Sequence, residues 1–103
     1  MSGGGKTEGE VVTKTKKLTK EPPRYKVLLH NDDYTTMEFV VSLLMTVFHH
    51  DQQSAYEIMM RVHKTGIGVA GVYTREIAET KVARSVQLAR KYEFPLECTM
   101  EPE

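Results

Sequence analysis

His30-Asn31-Asp32-Asp33-Tyr34-Thr35-Thr36-Met37-Glu38-Phe39 is the stretch on which the fold of this 103-residue chain turns. Just before it, Arg24–His30 places Tyr25, Val27 and Leu29 on one face, the period of a half-buried strand. Just after it, Met37, Val40, Val41, Leu44 and Phe48 recur at helical spacing. The polar residues between are therefore a strand-to-helix turn. Thr35-x-x-Glu38 has the form of a capping box, so Thr35 is expected to cap the helix.

The same signals continue downstream. His49-His50-Asp51 interrupts the first stripe, and Asp51 is expected to cap a second helix with Ala55, Ile58, Met59 and Val62 on one side. The two histidines are expected to answer the negative end of the first helix. Gly66 is placed to stop the second helix. Ile67–Tyr73 reads as a strand, and Thr74 as the N-cap of a third helix with Glu76 in its first turn and Ala78, Val82, Val86 and Ala89 facing inward. Pro95 ends the following turn, and Leu96–Met100 reads as a last strand. The order βααβαβ predicts an α+β fold: a three-stranded antiparallel sheet with three helices over one face. Pro22-Pro23 separates this unit, residues 22–103, from residues 1–21, which have no apolar period and are expected to form a disordered N-terminal extension.

Composition narrows the function classes. Formal net charge is zero, but unevenly spread: residues 1–20 hold five lysines and two glutamates, a net +3, and residues 21–103 hold nine basic and twelve acidic side chains, a net −3. A mildly acidic fold argues against nucleic acid as a partner, because phosphate binding needs a clustered basic face. One cysteine, Cys98, allows no intramolecular disulfide and points to a reducing compartment. With no apolar run of membrane-spanning length and no signal-peptide pattern, the expectation is a cytoplasmic protein without a membrane partner.

Catalytic patterns are missing. Cys98 lies in a strand, where free thiols are mostly inert, and no serine sits in a Gly-x-Ser-x-Gly elbow. Gly66-Ile67-Gly68-Val69-Ala70-Gly71 matches the letters of a dinucleotide loop but lies inside a strand instead of between strand and helix. His30, His49, His50 and His63 include no i, i+4 pair of metal-ligand spacing. No catalytic group, metal or cofactor is expected.

A binding site is the remaining possibility. Met59, Val62 and His63 form one patch on the second helix, at i, i+3 and i+4, and Met37 and Val40 a matching patch on the first. Packed as a hairpin, the helices would line one hollow with Asn31 and Asp32 at its mouth and His63 at its rim. Such acceptors suit a ligand with a positive charge beside an apolar group, as at a polypeptide N-terminus with a large apolar first residue. The same apolar residues read equally as core, and spacing alone favours core. Asn31-Asp32-Asp33 likewise reads as a simple turn.

The run Tyr25–Val40 closely resembles the ClpS family, adaptors of the bacterial ClpAP protease, as do Val62-His63, Gly71-Val72-Tyr73-Thr74, Ala78–Ala83 and Pro95-Leu96-x-Cys98-Thr99. The resemblance covers roughly residues 22–101. It implies the fold of the C-terminal domain of the ribosomal stalk protein L7/L12, and a monomeric, non-enzymatic adaptor without cofactor. Its implied ligands are proteins with an N-terminal Leu, Phe, Tyr or Trp, handed to the N-terminal domain of ClpA or ClpC. It makes Asn31, Asp32 and His63 the α-amino-binding groups, and Leu29, Thr35, Met37, Val40, Met59, Val62 and Leu96 the side-chain pocket. Glu76 and Lys81 match positions that dock on the ATPase, and residues 1–21 match an extension used in delivery. Thr36 stands where many relatives have Pro, and Ala70 where Cys is common; these departures are expected to affect the rigidity of the helix start and local packing. The rival from another class is an L7/L12-like interaction domain without N-terminal specificity, which needs no Asn31-Asp32 with His63.

Overall fold

β1 (Arg24–His30) is the middle strand of an antiparallel sheet, flanked by β2 (Ile67–Thr74) and β3 (Glu97–Pro102). Helices α1 (Met37–Thr46) and α2 (Gln52–Thr65) lie between β1 and β2 in sequence, and α3 (Arg75–Lys91) lies between β2 and β3. This computed structural model describes residues 21–103, so the expected N-terminal extension, Glu21 apart, lies outside the described residues. The α+β class and the βααβαβ order are as the sequence pattern predicts.

The central place of β1 follows from its composition. Val27 and Leu29 are completely buried against the helices, and period-two alternation turns Lys26, Leu28 and His30 to the other face. There Lys26 Nζ meets Glu101 Oε2 at 3.5 Å, and His30 Nε2 lies 2.8 Å from Thr99 Oγ1. α1 and α2 pack as a hairpin, α2 lies on β2, and α3 packs against all three strands. Phe39 fixes the start of α1 from the far side, its ring 5.0 Å from Phe94 and 5.8 Å from Tyr92.

α1 begins one residue later than its sequence suggests. Thr36, not Thr35, is the N-cap, its side chain accepting from the N–H of Phe39 at 3.1 Å. Thr35 is instead turned toward Asp32, whose carboxylate accepts from both the Thr35 N–H and the Thr35 hydroxyl. The shift moves Glu38 off the capping-box position and leaves it in the first turn, where a carboxylate still favours the helix dipole. α1 also stops sooner, at Thr46, so Phe48 is buried beyond its end. His49 then turns the chain with a φ of 61°, and His50 Nε2–H donates to the carbonyl of Ala70 in β2 at 2.5 Å. The His50 side chain thus docks the α1–α2 turn on the sheet, while its backbone N–H donates to the Leu44 carbonyl in the last turn of α1 at 3.1 Å.

Asp51 caps α2 through the Ser54 N–H, and Ala55, Ile58, Met59 and Val62 are all buried. Thr74 stands at the N-cap of α3 in extended geometry, but its side chain makes no capping bond. The buried stripe of α3 is Ala78, Ser85 and Ala89, with Val82 and Val86 only half-buried. Small residues there let the helix approach the sheet. Ser85 lies near Cys98 without a hydrogen bond of ordinary length. Burial pushes the Cys98 thiol up to about 11, the nearby Ser85 hydroxyl offsetting only part of the rise. β3 starts after the fully buried Leu96 and runs to Pro102, in register with β1 from His30↔Glu97 to Tyr25↔Pro102.

Gly68 sets the approach of α2 to β2. A Cβ at this position would lie 2.6 Å from Val62 Cγ2 and 3.4 Å from the Ile58 carbonyl oxygen. Gly68→Ala should therefore push α2 outward and lower stability by about 1–3 kcal/mol, the usual cost of overpacking. Urea denaturation measures this, and an unchanged midpoint would show that α2 is not held at that distance.

Candidate functional site

Asp32 shapes the loop that enters α1. Its Oδ1 accepts from the N–H groups of Tyr34 and Thr35 at 2.8 and 2.7 Å, and its Oδ2 accepts from the Thr35 hydroxyl at 2.7 Å. An aspartate folding the backbone that follows it is a common turn device. A carboxylate offers about four lone-pair sites; with three used, the free one lies on Oδ2. Partial burial acts to raise the Asp32 carboxyl, but the bonds from Thr35 and Tyr34 outweigh it and hold the group below the usual carboxylate range. The stability from this turn is therefore complete above the ordinary aspartate range and lost as pH falls through the lowered value.

Asn31 is fixed through its backbone. Its N–H donates to the carbonyl of Gly66 at 2.9 Å, one step beyond the His30↔Ile67 pair that ends the β1–β2 ladder. Gly66 ends α2 in the left-handed region, φ 93°, which glycine adopts without strain. Because α2 stops and reverses into β2 there, its last turn, which carries His63, arrives beside the end of β1.

The two segments enclose a cavity of about 390 Å³. Asn31, Asp32, Thr35 and His63 line its polar side, and Met37, Val40, Met59 and Val62 its apolar side. Val40, Met59 and Val62 are 6%, 4% and 3% exposed and belong to the core cluster, so core and cavity wall are the same residues. Met37 stands at the rim, 44% exposed. Asp33, Tyr34 and Thr36 also line the cavity. Tyr34 and Thr36 carry no spacing signal for this in the sequence; the turn around Asp32 brings them there. No lysine or arginine is among the lining residues, so the mouth is acidic.

Four other expected site residues lie elsewhere. Leu29 and Leu96 are 0% and 1% exposed, belong to the same core cluster, and are not among the residues that line the cavity. Their apolar character suits either place, and the sequence does not show depth. Glu76 is exposed in the first turn of α3. Lys81, on the same helix, donates from Nζ to the Val47 carbonyl at 2.6 Å and lies 5.5 Å from the Tyr73 ring centroid. Its ammonium thus meets the C-terminal cap of α1, where a cation is favoured.

Among the described residues no three His, Cys, Asp or Glu side chains are grouped to hold a metal, and no helix is long and apolar enough to cross a membrane. The cavity offers hydrogen-bond acceptors at its mouth and a hydrocarbon floor: it can hold a cationic donor group attached to an apolar one.

Comparison with known proteins places this arrangement in a family. The family described as "ATP-dependent Clp protease adaptor protein ClpS" matches residues 20–99. The adapter protein ClpS of Desulfotalea psychrophila is 59% identical over 85 residues, covering 82% of this chain and 83% of that one. That of Roseobacter denitrificans is 51% identical across 100% of this chain and 93% of its own. Among solved structures, Agrobacterium tumefaciens ClpS2 bound to L-phenylalaninamide superposes with a TM-score of 0.78 at 43% identity, covering 81% of this chain and 100% of that one. The chain belongs to the ClpS family of Clp protease adaptors. It is an adaptor that works with the Clp ATPase-protease, and not an enzyme.

The geometry of Asp32 yields a direct test. Thr35→Val removes one of the bonds that hold the Asp32 carboxyl low, so its titration midpoint should move up toward that of an ordinary aspartate. Carbon-detected NMR titration reads the midpoint; an unmoved value would show that the Thr35 hydroxyl does not hold the carboxylate.

Proposed function

We propose that this chain binds proteins whose first residue is Leu, Phe, Tyr or Trp and delivers them, as a cytoplasmic monomer, to the N-terminal domain of a Clp ATPase, ClpA or ClpC. The observation that carries this reading is the single cavity in which Asn31, Asp32 and His63 stand above Val40, Met59 and Val62. A free α-amino group is charged below about pH 8 and presents three donors. The free site on Asp32 Oδ2, the amide oxygen of Asn31 and a ring nitrogen of neutral His63 supply three acceptors. The ligand held by Agrobacterium ClpS2, L-phenylalaninamide, has both features, a free α-amine and a large apolar side chain. Its amide stands in for the peptide bond that follows the first residue of a protein.

Magnitudes agree with a reversible adaptor. Burying a Leu or Phe side chain contributes about 1.5–3 kcal/mol, and each charge-assisted hydrogen bond about as much. After the cost of association, about −8 kcal/mol, or micromolar affinity, is the expected scale. The apolar floor has no counter-charge, so a first residue of Arg or Lys would be buried unpaired. Met37 at the rim would lie near the Cβ of the first residue, tolerating Leu and Phe, which branch further out, and crowding Val and Ile. Glu76 and Lys81 are the proposed ATPase-docking positions, and residues 1–21 the segment used in delivery from the folded domain, residues 22–103.

Fluorescence anisotropy with a Leu-initiated peptide, its acetylated form and its Val-initiated form tests this reading. Acetylation removes the charge and two donors and should weaken binding about a hundredfold or more. The Val peptide should bind poorly to the native protein and gain affinity for Met37→Ala. Equal affinity for all three peptides would leave an L7/L12-like interaction domain without N-terminal specificity.

A further inference from the structure

We propose that the groove between α1 and α2 next to this cavity holds the substrate residues that follow the first, and accepts an aromatic or long aliphatic side chain among them. The proposal rests on the N-terminal reading above, because the anchored first residue determines where the next ones run.

The groove has a volume of about 690 Å³. Met37 and Met59 line both it and the cavity, so the two form one continuous surface. Val41, Met45 and Tyr56 extend that surface along the helix hairpin. Met37, Met45 and Tyr56 are 44%, 38% and 54% exposed, and all three fall in this groove. Single exposed apolar side chains are ordinary, but a contiguous set beside a binding cavity marks a contact surface. Methionine adapts its shape at little cost, which suits a partner whose sequence changes from one substrate to the next.

Dimensions set which substrate residues reach the groove. Met37 and Met45 lie on one helix, and at about 1.5 Å rise per residue the span between them is about 12 Å. An extended peptide covers that span in about four residues, at about 3.3 Å each. Residues two to five of a substrate held at Asn31, Asp32 and His63 therefore lie within reach, if the chain leaves the cavity over Met37. Backbone groups of the substrate stay solvated, while one apolar side chain packs on Met45 and Tyr56.

The test compares two labelled peptides of equal length, Leu followed by four serines and Leu followed by Ser-Phe-Ser-Ser. Each is titrated into the full-length protein and into a Met45→Ser, Tyr56→Ser double variant, whose exposed positions leave the core unchanged. The phenylalanine should tighten binding to the native protein about fivefold, the scale of partly burying such a side chain. The double variant should lose that gain while binding the all-serine peptide as the native protein does. A gain that is absent, or that survives in the double variant, overturns the proposal. A changed affinity for the all-serine peptide also overturns it, because the groove is then filled by residues 1–20 or by a second copy of the chain. Acetylated versions of both peptides separate the two levels: if acetylation has no effect, the N-terminal reading itself fails; if it abolishes binding and the phenylalanine adds nothing, only the groove proposal falls.

Discussion

One hydrogen bond, from the Asn31 N–H to the Gly66 carbonyl at 2.9 Å, joins the two parts of the site. It exists because Gly66 takes a left-handed conformation that ends α2 and turns the chain straight into β2. A side chain at that position would be strained at φ 93°. The antiparallel register of β1 and β2, ending at His30↔Ile67, then brings the start of the Asn31–Thr36 loop to the last turn of α2. Asp32 completes the arrangement by folding the loop on itself before Thr36 opens α1.

The floor of the cavity is the core itself. Val40, Met59 and Val62 are nearly fully buried, yet each contributes surface to the cavity. Under the proposed reading, an apolar first residue would rest on the same surface that stabilises the α1–α2 hairpin, so a substitution there should change stability and binding together. The polar mouth is built from groups with little structural work, such as the exposed Asn31 and His63 side chains. Asp32 is the exception, since it serves as a turn former and keeps one acceptor position free.

Most of the fold is visible in the sequence because its signals are local. The stripe Ala55, Ile58, Met59 and Val62, the Asp51 cap and the Gly66 stop each lie within one element, and each is found in the structure. The misplaced details all depend on contacts between distant or competing groups. Thr35 and Thr36 are equal as caps until Asp32 takes Thr35. His50 looks like a helix-end histidine until the sheet offers it the Ala70 carbonyl, 20 residues away in sequence. Leu29 and Leu96 share the apolar character of cavity residues, and it is packing that buries them in the core away from the lining. Ser85 is buried on α3 among alanines, which no hydropathy pattern would select. Asn31, Asp32 and His63 are each identifiable from the sequence, but their shared cavity depends on the Gly66 turn.

The central claim is that the loop and the helix act on one amine at the same time. A double-mutant cycle measures this, with Asp32→Asn and His63→Ala made singly and together and titrated with a Leu-initiated peptide. If both groups hold the same amine, the losses should be non-additive, the double variant binding at least about fivefold better than the single effects multiplied, and the coupling should vanish with the acetylated peptide. Strictly multiplicative losses, or equal coupling with the acetylated peptide, would contradict the account.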